Sequence, residues 1–192
     1  MGLFDVSSKY VDALAYAYEL YKYKKHDNGM PLLVFYENTS ISVWKCGGTE
    51  SQAIAGLLLS GTGEDQRKKE ERLSEIEAKF GLDVSKIISE ILKAKSVTKD
   101  SWRARKVHYL MYIENSSPSE RLVAGAHELS YLQSLREHVQ LHGESIWESD
   151  HVTKEQVLWF YHTFADILID KGSNEVGTSF LNELSLIENN KR

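Results

Sequence analysis

Apolar residues recur along this chain at intervals of three and four, the period of helices that each bury one face. Ser7 or Ser8 can cap a first helix running to about Lys25, with Tyr10, Leu14, Ala17 and Tyr21 on one side. A short helix ends at Gly47-Gly48, and Thr49 with Gln52 forms a capping box for a helix over Ala53 to Leu59. The charged run from Gln66 reads as a surface helix with apolar positions at Leu73, Ile76 and Phe80, stopped by Gly81. Asp83 is expected to cap the next helix, with Val84, Ile87, Ile88, Ile91 and Leu92 inward, and Asp100 to start another through Glu114. Ser117-Pro118-Ser119-Glu120 is the strongest start signal: a capping serine, proline at the first helical position and glutamate completing the box. That helix should run to Gly143. Thr153 with Gln156 starts a long helix ending at Gly172, with Val157, Phe160, Phe164, Ile167 and Leu168 inward. A last one spans about Thr178 to Asn189. The pattern predicts an all-α fold, a bundle of eight or nine helices.

Composition narrows the class. The 192 residues suit one domain, 1–192, with no internal repeat and no linker-like change in composition. Hydrophobic residues at 42% and charged residues at 27% are ordinary for a soluble globular protein. No segment approaches the roughly 18 apolar residues of a membrane span, and Met1 to Val6 lack a secretion signal. The lone Cys46 fits a reducing compartment, so a cytoplasmic protein is expected. A net charge of -5 argues against a nucleic-acid backbone as partner.

The stretch Ala55-Gly56-Leu57-Leu58-Leu59-Ser60-Gly61-Thr62-Gly63-Glu64-Asp65 resembles the signature of HD-domain phosphohydrolases. There an apolar helix ends in His-Asp, and Glu-Asp follows shortly. Here the second half stands as Glu64-Asp65, but the first reads Leu59-Ser60. Other landmarks resemble the relatives of RelA/SpoT guanosine-polyphosphate hydrolases, in order: Asp12-Ala13-Leu14-Ala15-Tyr16-Ala17, Gly29-Met30-Pro31-Leu32-Leu33-Val34-Phe35, Phe80-Gly81-Leu82-Asp83-Val84, Trp102-Arg103-Ala104-Arg105-Lys106 and Ala126-His127-Glu128-Leu129-Ser130-Tyr131. On that resemblance Tyr21, Phe35, Leu59, Ser60 and His127 stand where the family has metal ligands, and only His127 is a competent one. His26 stands where the family often has a nucleotide-contacting arginine, and Glu128 and Tyr131 replace a lysine and an asparagine. The resemblance implies a degenerate HD domain, a pseudoenzyme with no metal and no cofactor, kept for binding or regulation.

Each candidate residue has a plainer reading beside the chemical one. In the family Glu64 and Asp65 would serve the attacking water; otherwise they complement a helix N-terminus. Tyr21, Phe35 and Leu59 fill the space that ligands left, or Tyr21 and Phe35, with His26 and Tyr131, present rings to a nucleotide base. Lys106, with Lys24 and Lys25, could meet its phosphates, and Arg103, Arg105 and Lys106 could equally be a solvated face. His127 is expected to hydrogen-bond within the core. His138 and His142 have a metal-permitting spacing without a third ligand, and Gly61-Thr62-Gly63 reads as a turn. Two other classes stay open: an active guanosine-polyphosphate-type pyrophosphohydrolase using Mn²⁺ with an altered site, and a purely structural module serving a protein partner or a homo-oligomer.

Overall fold

Helix caps written in the sequence set the frame. The computed structural model describes residues 7–26, 29–60, 66–95, 101–148 and 152–189. Ser7 accepts from the Tyr10 amide and begins α1 (Ser8–Tyr21). The helices α2 (Leu32–Lys45), α3 (Glu50–Leu58), α4 (Gln66–Phe80), α5 (Leu82–Lys95) and α6 (Trp102–Asn115) follow. The long α7 (Pro118–His142) continues into a 3₁₀ segment (Gly143–Glu148), then α8 (Lys154–Asp170) and α9 (Asn174–Glu188). The capping boxes at Thr49/Gln52, Ser117/Glu120 and Thr153/Gln156 are all formed. Among the described residues there are nine α-helices and no strand, only an isolated bridge between Lys25 and Pro31. None of these helices is long and apolar enough to cross a membrane.

The centre of the molecule is α7. Every residue from Val123 to Ser130 is buried, because α2, α3, α5 and α9 pack around that stretch. Its small residues permit this: a Cβ on Gly125 would stand 3.2 Å from Val176 Cγ2. A surrounded helix buries consecutive residues rather than one face. So His127 and Glu128, adjacent in sequence, are both inside.

Several boundaries differ from the pattern-based reading. The first helix stops at Tyr21, not near Lys25: the chain reverses with Tyr23 at φ 68°, and His26 accepts and donates backbone bonds with Gly29 and Met30. Before Gly47 stands a full helix of 14 residues rather than a short one. Asp83 lies in the first turn of α5 instead of capping it. Ser101 caps α6 by accepting from the Ala104 amide, and Asp100 lies outside the described residues. The last helix begins at Asn174, four residues before Thr178, because the turn at Gly172 (φ 80°) leads directly into it. Gly177 then sits inside the helix, where it lets α9 press against α8: a Cβ there would meet Ile169 Cγ1 at 2.6 Å.

Candidate functional site

The family-aligned positions converge. From α1, the Tyr21 hydroxyl donates to the Leu57 carbonyl at 3.1 Å, and its ring stacks on Tyr36 at 4.9 Å. Burial pushes its phenol well above the usual range. From α2, Phe35 is fully buried, stacked on His26 at 4.8 Å and edge-on to Tyr131 at 4.7 Å and His127 at 5.6 Å. The short Lys25–Pro31 bridge holds His26 in that stack. Leu59 is buried at the end of α3. Ser60 beside it is exposed, so of these two positions only Leu59 fills interior space. The Tyr36 phenol is pushed up to about 12 by burial, partly offset by its hydrogen bond with the Ser60 side chain. Four of the proposed ligand-contacting rings (Tyr21, His26, Phe35 and Tyr131) thus pack with His127 against one another or a shared neighbour. Glu64 and Asp65 lie outside the described residues.

His127 is 4% exposed and Glu128 3%. Lys95, the last residue of α5, reaches both: its Nζ lies 2.8 Å from Glu128 Oε1 and 3.1 Å from His127 Nδ1. Nδ1 is also 3.5 Å from Glu128 Oε1, but it cannot accept from an ammonium and donate to a carboxylate together. The shorter contact decides: Nδ1 accepts, and the proton sits on Nε2. Burial first, then Lys95, holds the imidazole down at about 4, with Glu128 pulling the other way. Burial alone would raise the Glu128 carboxyl, but the Lys95 ammonium, with Lys106 behind it, outweighs burial and holds it well below the usual range. The pair is a neutral ring and a carboxylate tied to an ammonium.

Next to this cluster opens a cavity of about 340 Å³ between α5, α6, α7 and α8. Its wall carries three cations (Lys95, Arg105 and Lys106), the Glu128 carboxylate and the rings of Tyr109, Tyr131 and Tyr161. Tyr109 is buried, and its hydroxyl has no hydrogen-bond partner among the described residues. The Lys106 ammonium lies 4.0 Å from the Phe160 ring centre. Desolvation lowers its pKa against the pull of Glu128, with Lys95 and Arg105 adding to the lowering. Lys106 is therefore not part of a solvated face, whereas Arg103 lies over Trp159 at 4.2 Å and does not line the cavity. Of the residues singled out for ligand contact, Lys106 and Tyr131 border this cavity; Tyr21, His26 and Phe35 do not. Lys24 and Lys25 are exposed on the loop after α1.

Lys95 is the residue that sequence reasoning missed. At the C-terminal end of a helix a lysine is ordinary, and nothing distinguishes it from Lys93 two residues earlier. The signal that could have found it is the buried acid: a glutamate on the innermost stretch of α7 needs a cation from a neighbouring helix. Among the described residues no group of three His, Cys, Asp or Glu side chains could hold a metal ion. That includes His138 and His142, whose rings meet at 5.0 Å without a third donor.

An HD-domain family model matches residues 13–113. Among solved structures, a metazoan ortholog of SpoT described as hydrolyzing ppGpp has 21% identity and a TM-score of 0.67, covering 97% of this chain and 98% of its own. The protein lmo0812 from Listeria monocytogenes EGD-e has 20% identity and a TM-score of 0.60, covering 80% and 96%. No curated protein matches in sequence. At these identities the structural likenesses speak for the fold, and the family model spans more than half of the chain: this protein belongs to the HD-domain family.

Proposed function

We propose that this HD-domain protein is a pseudoenzyme. It lacks metal-dependent phosphohydrolase chemistry and works as a binding or regulatory protein whose ligand is an anionic, nucleotide-like small molecule. One observation carries the reading: at the five positions aligned with metal ligands, the sole imidazole, His127, gives its Nδ1 lone pair to an ammonium 3.1 Å away. The other four are a buried phenol held in its protonated form, a phenyl ring, an isobutyl group and a neutral hydroxyl. Mn²⁺ prefers carboxylate, imidazole and water, and this donor set does not fit it. Without a metal, no Lewis acid lowers the pKa of an attacking water, so Glu64 and Asp65 have no activated water to serve.

The cavity supports this ligand class. Arg105 and Lys106 suit phosphate oxygens, Tyr131 and Tyr161 supply ring faces for a base, and the unpartnered Tyr109 hydroxyl supplies a polar anchor. The metazoan relative's substrate, ppGpp, belongs to that class. Cations and rings on one wall favour a sensor over a purely structural module.

The test joins three measurements on one preparation purified without chelator. Elemental analysis is expected to find no stoichiometric Mn, Fe, Co or Zn, and incubation with ppGpp and Mn²⁺ no hydrolysis. Calorimetric titration with guanosine polyphosphates is expected to saturate, and Lys106→Met or Arg105→Ala to weaken binding about tenfold or more, the scale of one lost charged contact. Hydrolysis abolished by Asp65→Ala would establish the active enzyme instead. Failure of every nucleotide to bind would leave the interaction module.

A further inference from the structure

The carboxylate of Glu128 lies in the interior and requires a positive charge beside it. We infer that the Lys95 ammonium is the resident cation of this site, barring divalent metal from His127 and Glu128, and that removing it uncovers a two-donor site for a borderline divalent ion such as Co²⁺ or Zn²⁺. This rests on the reading that the natural chain holds no catalytic metal, and goes beyond it by naming the group that keeps metal out.

Three observations carry it. First, Lys95 Nζ contacts both Glu128 Oε1 and His127 Nδ1, at 2.8 and 3.1 Å, so it uses the same two lone pairs that a metal would need. An imidazole nitrogen has one lone pair in the ring plane and cannot serve an N–H and a metal together. Secondly, those two atoms are 3.5 Å apart. An ion about 2.1 Å from each, the usual zinc distance, would see them at about 110°, close to the tetrahedral angle. Thirdly, the ammonium is held in place by ring faces, 5.2 Å from the centre of Tyr109 and 5.9 Å from that of Tyr131. Those contacts favour a cation at this point without supplying a metal ligand.

The experiment removes the charge and looks for metal. His138 and His142, four apart on α7 with rings 5.0 Å between centres, could take up Co²⁺ themselves, so every protein carries His142→Asn. Co²⁺ is titrated by calorimetry into this parent and into its Lys95→Met and Lys95→Gln derivatives, with thermal melting alongside. Lys95 is partly exposed at a helix end, so the fold accommodates glutamine there, and circular dichroism checks it. The expected result is affinity for Co²⁺ at least about tenfold above the parent's in both derivatives. Co²⁺ should also raise their melting midpoints and not the parent's, and adding Glu128→Gln should abolish both gains. No gain in either folded Lys95 derivative overturns this inference and leaves the pseudoenzyme reading standing. Stoichiometric metal on the parent, lost in His127→Ala, overturns both.

Discussion

An uncharged imidazole next to an ionised carboxylate makes stability depend on pH in a definite direction. Burial and Lys95 hold the pKa of His127 down at about 4, against about 6.5 in an unfolded chain. Between those two values the unfolded state binds the extra proton and the folded state does not, so stability falls as the pH is lowered from 6.5 towards 4. Glu128, also depressed, adds its own loss in the same direction only below its ordinary value of 4.5. Lys95, Lys106 and His26 are the other titratable groups that act on the pair. Unfolding free energies from urea titrations at pH 7.5 and 5.0 should therefore differ by about 2 kcal/mol in the wild type. His127→Asn keeps an acceptor for Lys95 and removes the titration, so its difference should be much smaller; an equal loss in both proteins would refute the assignment. At this scale the sequence was informative about identity and silent about partners. His127 was legible as a core hydrogen-bonding residue from its place in the last family motif. That its partner is Lys95 depends on α5 and α7 lying side by side, which no local pattern encodes.

Between elements, the close approach of α9 to α8 at Gly177 also explains why the last helix starts earlier than its sequence pattern suggests. A glycine in a helix interior costs about 1 kcal/mol relative to alanine, so a chain that keeps Gly177 inside α9 gets something in return. It lets Val176, Phe180 and Leu184 of α9 bury themselves in the core while α9 lies against Ala165 and Ile169 of α8. Gly177→Ala would place a Cβ 2.6 Å from Ile169 Cγ1 and 3.3 Å from the Ala165 carbonyl oxygen. The Ile169 contact forces a shift, and because Cγ1 sits next to the branched Cβ rather than at a flexible chain end, the side chain or the helix pair has to give. Despite alanine's better helix propensity, the variant should lose about 1–3 kcal/mol in urea unfolding. A neutral or stabilised variant would show that the contact is slack. Helix starts at Ser7, Thr49, Ser117 and Thr153 were readable because a cap is a local event: a side-chain oxygen meets an amide three residues on. The start of α9 was not, since Ser173 makes no such side-chain bond and the helix is set by packing on α8.

For the whole molecule the question is whether the half matched by the family model can stand without the rest. Residues 13–113 end within α6, yet the helix around which α2, α3 and α5 pack is α7. Without it, Phe35 and Tyr36 would lose the faces of His127 and Tyr131, and the buried Thr39 hydroxyl its Ser130 partner at 3.1 Å. Val43, Ile54, Leu57, Ile88 and Ile91, all fully buried, belong to the same continuous cluster as Phe160, Phe164 and Phe180 from α8 and α9. A core shared in this way should melt once. The expected outcome is a single urea transition for 1–192, with tryptophan fluorescence and far-ultraviolet circular dichroism superimposing. The four tryptophans make fluorescence a fair witness: Trp44 lies in α2, Trp102 in α6, Trp147 in the 3₁₀ segment and Trp159 in α8. A fragment ending at Asn115 should show no cooperative transition, since its apolar faces would have lost the helix they close on. Two separated transitions in the full chain, or a cooperatively folded fragment, would divide the molecule at α7 and make the C-terminal helices an addition to an independent N-terminal unit.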